Sequence, residues 1–342
     1  MAHAQPLASR AVRPDALRTV AVLFMLAANA APYALETAPA PSFRLISSLA
    51  APLFVFLSGV MTGHGHGDTD LSARRRHLLR RALLLACTAT FVDVFIWGIP
   101  PFQSFDVLYL IALGIAVNAL LLGSPSMLPP ALVVLLVVVA VPARWWAGYR
   151  HAMTEPAWDV IRSSGVDVTR AFVDGWFPVF PWLAVAIAGA WVRERDVRPG
   201  PAALWSLAAL VAVSIIAVLD DAEGVPLRSG YVELFYPPSG AMLILLFAVP
   251  LLAELSPMPP GSWWRGALLL PGRHGLFVYI LHCILIAIDP AGLFSPGPPL
   301  HFAGAVTLLV VVAYLGTAML ERLQASPLHQ RIPRILRDLT GT

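Results

Sequence analysis

The stretch Ala202-Ala203-Leu204-Trp205-Ser206-Leu207-Ala208-Ala209-Leu210-Val211-Ala212-Val213-Ser214-Ile215-Ile216-Ala217-Val218-Leu219 runs without a single charge. As a helix it rises roughly 27 Å, close to the ~30 Å hydrocarbon thickness of a bilayer. Working outward, comparable apolar runs occupy 15–35, 43–63, 82–99, 105–122, 128–143, 176–192, 239–255, 268–288 and 302–320. Several contain Pro or Gly, which membrane helices tolerate where neighbours satisfy the freed backbone groups. The reading is an all-α, polytopic membrane helix bundle of about ten transmembrane helices.

Composition agrees with that reading. Hydrophobic residues make up 58% of the 342 and charged residues only 13%, about half the share in soluble domains; the mean hydropathy is +0.74. Such a surface needs lipid as its solvent. All 23 basic residues are Arg, which with abundant Ala and Pro points to a GC-rich bacterial genome and hence to a bacterial plasma membrane. The charge of +3 does not imply nucleic acid, because the arginines gather at span borders without interleaved aromatics. Cys87 and Cys283 lie in apolar runs, with neither disulfide nor metal spacing, so no metal is expected.

Arginine placement orients the spans. With the N-terminus inside, the outer segments hold Arg44, Arg144, Arg150, Arg162, Arg170 and Arg228, and the other seventeen arginines face the cytoplasm. That asymmetry is the positive-inside signature and predicts an even count with both termini cytoplasmic. Residues 1–14 then form a cytoplasmic tail, 15–320 the transmembrane domain with an outer loop at 147–175, and 321–342 a second cytoplasmic tail. Arg10, Arg13 and Arg18 ahead of Ala28-Asn29-Ala30-Ala31 mimic a signal peptide, but the apolar run continues to Leu35.

Polar groups at depth need a reason to be there. Asn29, Asp93 and Trp182 fall in outer halves of their spans, Arg44, Asp106 and Tyr109 begin spans from outside, and His282 lies mid-span with Tyr279 one turn earlier. Gathered in one bundle, these groups would line a polar cavity open to the outer face. His282 is the candidate proton carrier, since imidazole titrates near neutrality; a satisfied core histidine is its plain alternative. Asp93 is either catalytic or the ion-pair partner of Arg44. Asn118 reads as a helix–helix hydrogen bond.

Four stretches in order carry a family resemblance: Asp15-Ala16-Leu17-Arg18-Thr19-Val20-Ala21-Val22 running on to Asn29; Leu49-Ala50-Ala51-Pro52-Leu53-Phe54-Val55-Phe56-Leu57-Ser58-Gly59; Phe177-Pro178-Val179-Phe180-Pro181-Trp182-Leu183 ending at Gly189; and Gly272-Arg273-His274-Gly275-Leu276-Phe277-Val278-Tyr279-Ile280-Leu281-His282. Together the chain resembles bacterial relatives of the heparan-alpha-glucosaminide N-acetyltransferase catalytic domain, within the transmembrane acyltransferases. The resemblance implies transfer of an acyl group, usually acetyl, from acyl-coenzyme A to a hydroxyl or amine of a small-molecule or sugar acceptor across the membrane. Placed in such a mechanism, the polar groups at depth and the basic groups at span borders give the candidates: His282, Asp93 and Asn29 as catalytic, Arg18 and Arg273 for coenzyme binding, and Arg44, Tyr109, Trp182 and Tyr279 for substrate binding. The family's acyl-accepting loop histidine has no counterpart in 35–43, Tyr109 replaces a fourth-span histidine, and Thr19 replaces a first-span Gly. Three outcomes stay open: direct attack assisted by His282 or Asp93, different chemistry in a small-molecule pathway, or transport without catalysis. A homodimer is left open as well.

Reporter fusions test the orientation. Alkaline phosphatase joined after Arg162 is expected to be active and after Arg76 inactive; the reverse pattern would invert the topology.

Overall fold

The computed structural model describes residues 12–37, 39–63, 70–147, 170–174, 176–220, 240–257 and 266–326. Most of the expected outer loop 147–175, the 220–238 connection and most of both tails lie outside these residues. Among the described residues the structure is helical, with one isolated bridge between Leu35 and Gly297. Four helical stretches are long and apolar enough to cross a membrane: Val12–Ala34, Pro41–Thr62, Pro201–Asp220 and Pro299–Ala325. Val107–Leu121, Leu128–Ala140, Gly240–Leu255 and Gly275–Ile288 are shorter apolar helices.

In chain order the helices are α1 (Val12–Ala34), α2 (Pro41–Ser48), α3 (Ala50–Thr62), α4 (Leu71–Phe91), α5 (Val107–Leu121), α6 (Leu128–Ala147), α7 (Val179–Glu194), α8 (Pro201–Asp220), α9 (Gly240–Leu255), α10 (Leu270–Arg273), α11 (Gly275–Ile288) and α12 (Pro299–Ala325). Two expected spans are broken. The second divides into α2 and α3 at Leu49, one turn before Pro52, whose ring nitrogen cannot bond the Ser48 carbonyl. The ninth divides into a 3-10 turn at Ala267–Leu269, α10 and α11, around Pro271, Gly272 and His274.

Helix ends are tied by named groups. Asp70 caps α4 by accepting the Ala73 N–H at 2.9 Å. That bond, then the Ser72 hydroxyl, holds its carboxyl below the ordinary range; the cap is therefore complete above the unfolded pKa and fades as pH falls through the folded one. From α4, Arg74 donates to the Gly63 carbonyl (2.7 Å) and Arg75 to those of Ala119 (3.0 Å) and Leu122 (3.1 Å), closing the ends of α3 and α5. This is why α4 starts at Leu71 instead of at 82: its arginines lie on the helix and reach outward along long stems.

The packing centre is the crossing of α3 with α7. A Cβ on Gly59 would stand 1.9 Å from the Ala186 carbonyl oxygen, and one on Gly189 would stand 2.2 Å from that of Phe56. Only glycine allows backbones this close, as at other small-residue contacts between membrane helices. Phe56, Trp182 and Ile187 are fully enclosed around it. Asn118 of α5 completes the junction by donating to Thr62 Oγ1 (2.9 Å) and the Ala186 carbonyl (3.2 Å), the role read for it from sequence. At the periphery, α8 and α12 present Trp205, Ile216, Leu300 and Leu315 outward.

Gly59→Ala and Gly189→Ala should each cost about 1–3 kcal/mol, because only backbone atoms could yield. Gly200→Ala, with nothing near its added methyl, should stay within about 0.5 kcal/mol of wild type. Thermal unfolding in detergent measures the difference.

Candidate active site

α1 meets α10 and then α11 at two heights with the same sequence offset. Near the arginine-rich end, the Gly272 N–H donates to Thr19 Oγ1 at 3.2 Å, and that hydroxyl donates to the Asp15 carbonyl at 3.0 Å. A Cβ at Gly272 would lie 2.1 Å from the same carbonyl oxygen, so glycine is required for the approach. Ten residues further along α1, about 15 Å of rise, and past the break at His274 on the other side, Asn29 Nδ2 lies 2.8 Å from His282 Nε2 of α11.

The hydrogen bonds define the histidine's tautomer. His282 Nδ1 lies 3.2 Å from the Val278 carbonyl, which can only accept, so Nδ1 carries the hydrogen. Nε2 then holds the lone pair and accepts from the Asn29 amide. His282 is 2% exposed. Tyr279 meets the imidazole edge-on, with ring centroids 5.2 Å apart, and its hydroxyl donates to Asp106 Oδ2.

Asp106 links this pair to a second polar group. It caps α5 through the Val107 N–H at 2.6 Å, and its own N–H donates to Ser104 Oγ at 3.2 Å. The Ser104 hydroxyl lies 3.0 Å from both carboxylate oxygens of Asp93. Asp93, 2% exposed, comes from the single π-helical turn Val92–Trp97 that ends α4. Tyr109 donates to Thr90 Oγ1 at 3.2 Å and receives the Phe102 N–H at 3.3 Å. The order from α1 across the bundle is thus Asn29, His282, Tyr279, Asp106, Ser104 and Asp93.

A cavity of about 400 Å³ opens on the arginine-rich side. Its mouth carries Arg18, Arg74, His77, Arg81, Arg273 and His274; its walls are Met25, Phe54, Leu85, Leu108, Ile111 and Ile115; and Tyr279 also lines it. Asp15, 3% exposed, holds the first and fifth of these cations, with Oδ1 3.2 Å from Arg18 and Oδ2 3.8 Å from Arg273 Nε.

The expected site residues therefore divide. Asn29, His282 and Tyr279 come together, and Asp93 joins them through Ser104 and Asp106. Arg18 and Arg273 share Asp15 at the cavity mouth. Arg44 is buried in α2, but Asp93 is not its ion-pair partner: that carboxylate is satisfied by Ser104 and neighbours Tyr109. Trp182 is wholly enclosed, edge-on to Phe177 at 5.1 Å, and does not line the cavity. The cavity itself departs from expectation, because its wall is built from the basic side and not from the outer polar cluster. Asp106, expected among the groups lining a polar cavity, joins the cluster through Tyr279 and Ser104. Ser104 was absent from the expected site, and nothing in its local sequence singled it out.

Residues 10–221 match the model of the family described as heparan-alpha-glucosaminide N-acetyltransferase, catalytic. The chain belongs to this family. No curated protein matches it. Membership in this membrane acetyltransferase family agrees with the resemblance read from the four stretches. Of the clustered groups, Asn29, Asp93, Ser104 and Asp106 fall within the matched residues, while Arg273, Tyr279 and His282 come from the segment beyond them.

Ser104→Ala should destabilise the protein by about 1–3 kcal/mol, the usual effect of removing a donor from a buried polar group. Adding Asp93→Asn should recover part of that loss. Unfolding midpoints of the single and double variants measure the coupling.

Proposed function

We propose that this protein is a membrane acyltransferase that takes an acyl group, in the first instance acetyl, from acyl-coenzyme A. The observation that carries the reading is one continuous cavity with cations at its mouth, apolar walls along its length and Tyr279 in its lining, beside the His282–Asn29 pair. Its volume falls within the roughly 300–1,000 Å³ usual for ligand pockets. Coenzyme phosphates suit the mouth, where Arg18 and Arg273 concentrate positive charge. The slender arm carrying the thioester suits the apolar walls. In this reading the arginine-rich end faces the cytoplasm of a bacterial cell.

His282 Nε2 already holds a lone pair, so it can accept the proton of an acceptor hydroxyl or amine that displaces the Asn29 amide. The acceptor's oxygen or nitrogen then attacks the thioester carbonyl carbon. The carbon–sulfur bond breaks, and the departing thiolate takes the proton from His282 to leave as free coenzyme A. The Val278 carbonyl keeps Nδ1–H oriented throughout, much as a fixed acceptor orients a catalytic imidazole. Asn29, once displaced, turns its N–H donors toward the developing oxyanion. Tyr279, fixed by Asp106, offers its oxygen to the incoming acceptor. No acyl-histidine is needed, which accords with the lack of histidine in 35–43.

That same lack favours a second reading, in which the scaffold serves a small-molecule pathway with other chemistry. Comparing metabolite masses between cells with and without the intact gene separates the two: only acyl transfer yields a difference equal to an acyl group.

The direct test uses purified protein in lipid nanodiscs with labelled acetyl-coenzyme A and a panel of amine and hydroxyl acceptors. Label should move to an acceptor, and His282→Ala should slow the transfer about 10²–10⁴-fold while leaving coenzyme binding intact. No transfer to any acceptor would end the reading.

A further inference from the structure

Arg273 is placed at the cavity mouth with part of its donor set unused. Its Nη1 donates to Glu321 Oε1 at 3.2 Å. Its Nε is buried without a hydrogen-bond acceptor. The nearest carboxylate on that side, Asp15 Oδ2, stands 3.8 Å away, outside hydrogen-bonding distance and on a group already engaged by Arg18. A guanidinium has five N–H groups arranged to meet paired oxygens. Here one of them has a hydrogen-bonded carboxylate, and another, taken out of water, has only the charge of Asp15 at 3.8 Å and no hydrogen bond.

Glu321 and Asp15 hold Arg273 in different ways. Asp15 is 4% exposed and fixed in the first turn of α1. Glu321 reaches across from the last turns of α12, is 37% exposed, and divides one oxygen between Arg273 and His274 Nε2 at 3.6 Å. A pair this accessible to solvent is weak, because water screens it and the long side chain loses freedom in making it. Glu321 can turn into water with little loss, whereas Asp15 cannot.

We propose that Glu321 is a displaceable counter-ion, which occupies the phosphate seat of Arg273 and so sets the affinity of the cavity for an anionic donor. The inference rests on the acyl-coenzyme A reading of the cavity. A diphosphate or phosphomonoester brings more charge than one carboxylate and offers several acceptor oxygens to the guanidinium. As it enters, Glu321 swings outward, Nη1 exchanges one acceptor for another, and the neighbouring donors gain one. With Glu321 in place, donor binding must work against this competition; without its charge, the seat stands open.

The test measures binding of coenzyme A, and of pantetheine, which lacks the nucleotide and its phosphates, to full-length protein in neutral-lipid nanodiscs. Glu321→Gln should tighten coenzyme A binding about two- to fivefold, the range expected when an exposed ionic competitor is removed. It should leave pantetheine binding unchanged, and Glu321→Asp should retain most of the wild-type affinity for coenzyme A. A merely structural Glu321 would lower the unfolding midpoint and weaken or spare coenzyme binding. Unchanged or weaker coenzyme A binding in Glu321→Gln, or an equal gain for pantetheine, would overturn the proposal. If wild-type protein binds no coenzyme A at all, the donor reading fails first and this inference with it. If it binds coenzyme A without transferring label, the catalytic reading fails and the counter-ion exchange is still decided by the variants.

Discussion

Hydrocarbon gives two apolar helices no preference for each other over lipid, so a membrane bundle is held by contact and by polar pairing. In this protein the contact begins where α3 and α7 cross with their backbones touching at Gly59 and Gly189. α1 and α5 pack on that pair, and α4 is tied to it through Arg74 and Arg75. The site depends on the same arrangement. Asp93 and Asp106 flank the connection between α4 and α5, while Asn29 comes from α1, which packs on α3, and His282 from α11, which packs on α1.

The second constraint is registry between α1 and the α10–α11 segment. Gly272 against Thr19 and His282 against Asn29 share one sequence offset, so the two segments are held in step at both contacts. The lower contact lies among the charges of Asp15, Arg18 and Arg273, and the upper one beside Tyr279. A slip of one residue at the lower contact would place a side chain where only glycine fits. It would also carry the imidazole away from the amide. The fold therefore couples the placement of the cavity's cations to that of His282 through covalent length alone.

Much of this was legible in the sequence. Long uncharged runs such as 202–219 announce themselves, and so did the polar residues stranded within spans, because lipid makes each of them conspicuous. Asn29, His282 and Tyr279 were found in this way and do come together. Asp106 was visible as a polar group opening its span, but its bond to Tyr279, 173 positions later, and the place of Ser104 between it and Asp93 emerge only in the fold. The breaks at Leu49 and His274 were obscured for a related reason. Pro52 and Pro271 were visible, but membrane helices often carry proline without dividing, and the outcome depends on what their neighbours supply. The pairing proposed for Asp93 and Arg44 failed because opposite charges at similar depth need not share a helix interface.

The brevity of α11 has a consequence for the lipid around it. Its 14 residues rise about 21 Å, well short of the ~30 Å between the two headgroup layers. The 3-10 turn and α10 ahead of it supply the missing length only by way of the break at His274. In a bilayer a span broken in this way stands shorter than its residue count, and acyl chains beside it shorten or splay to match.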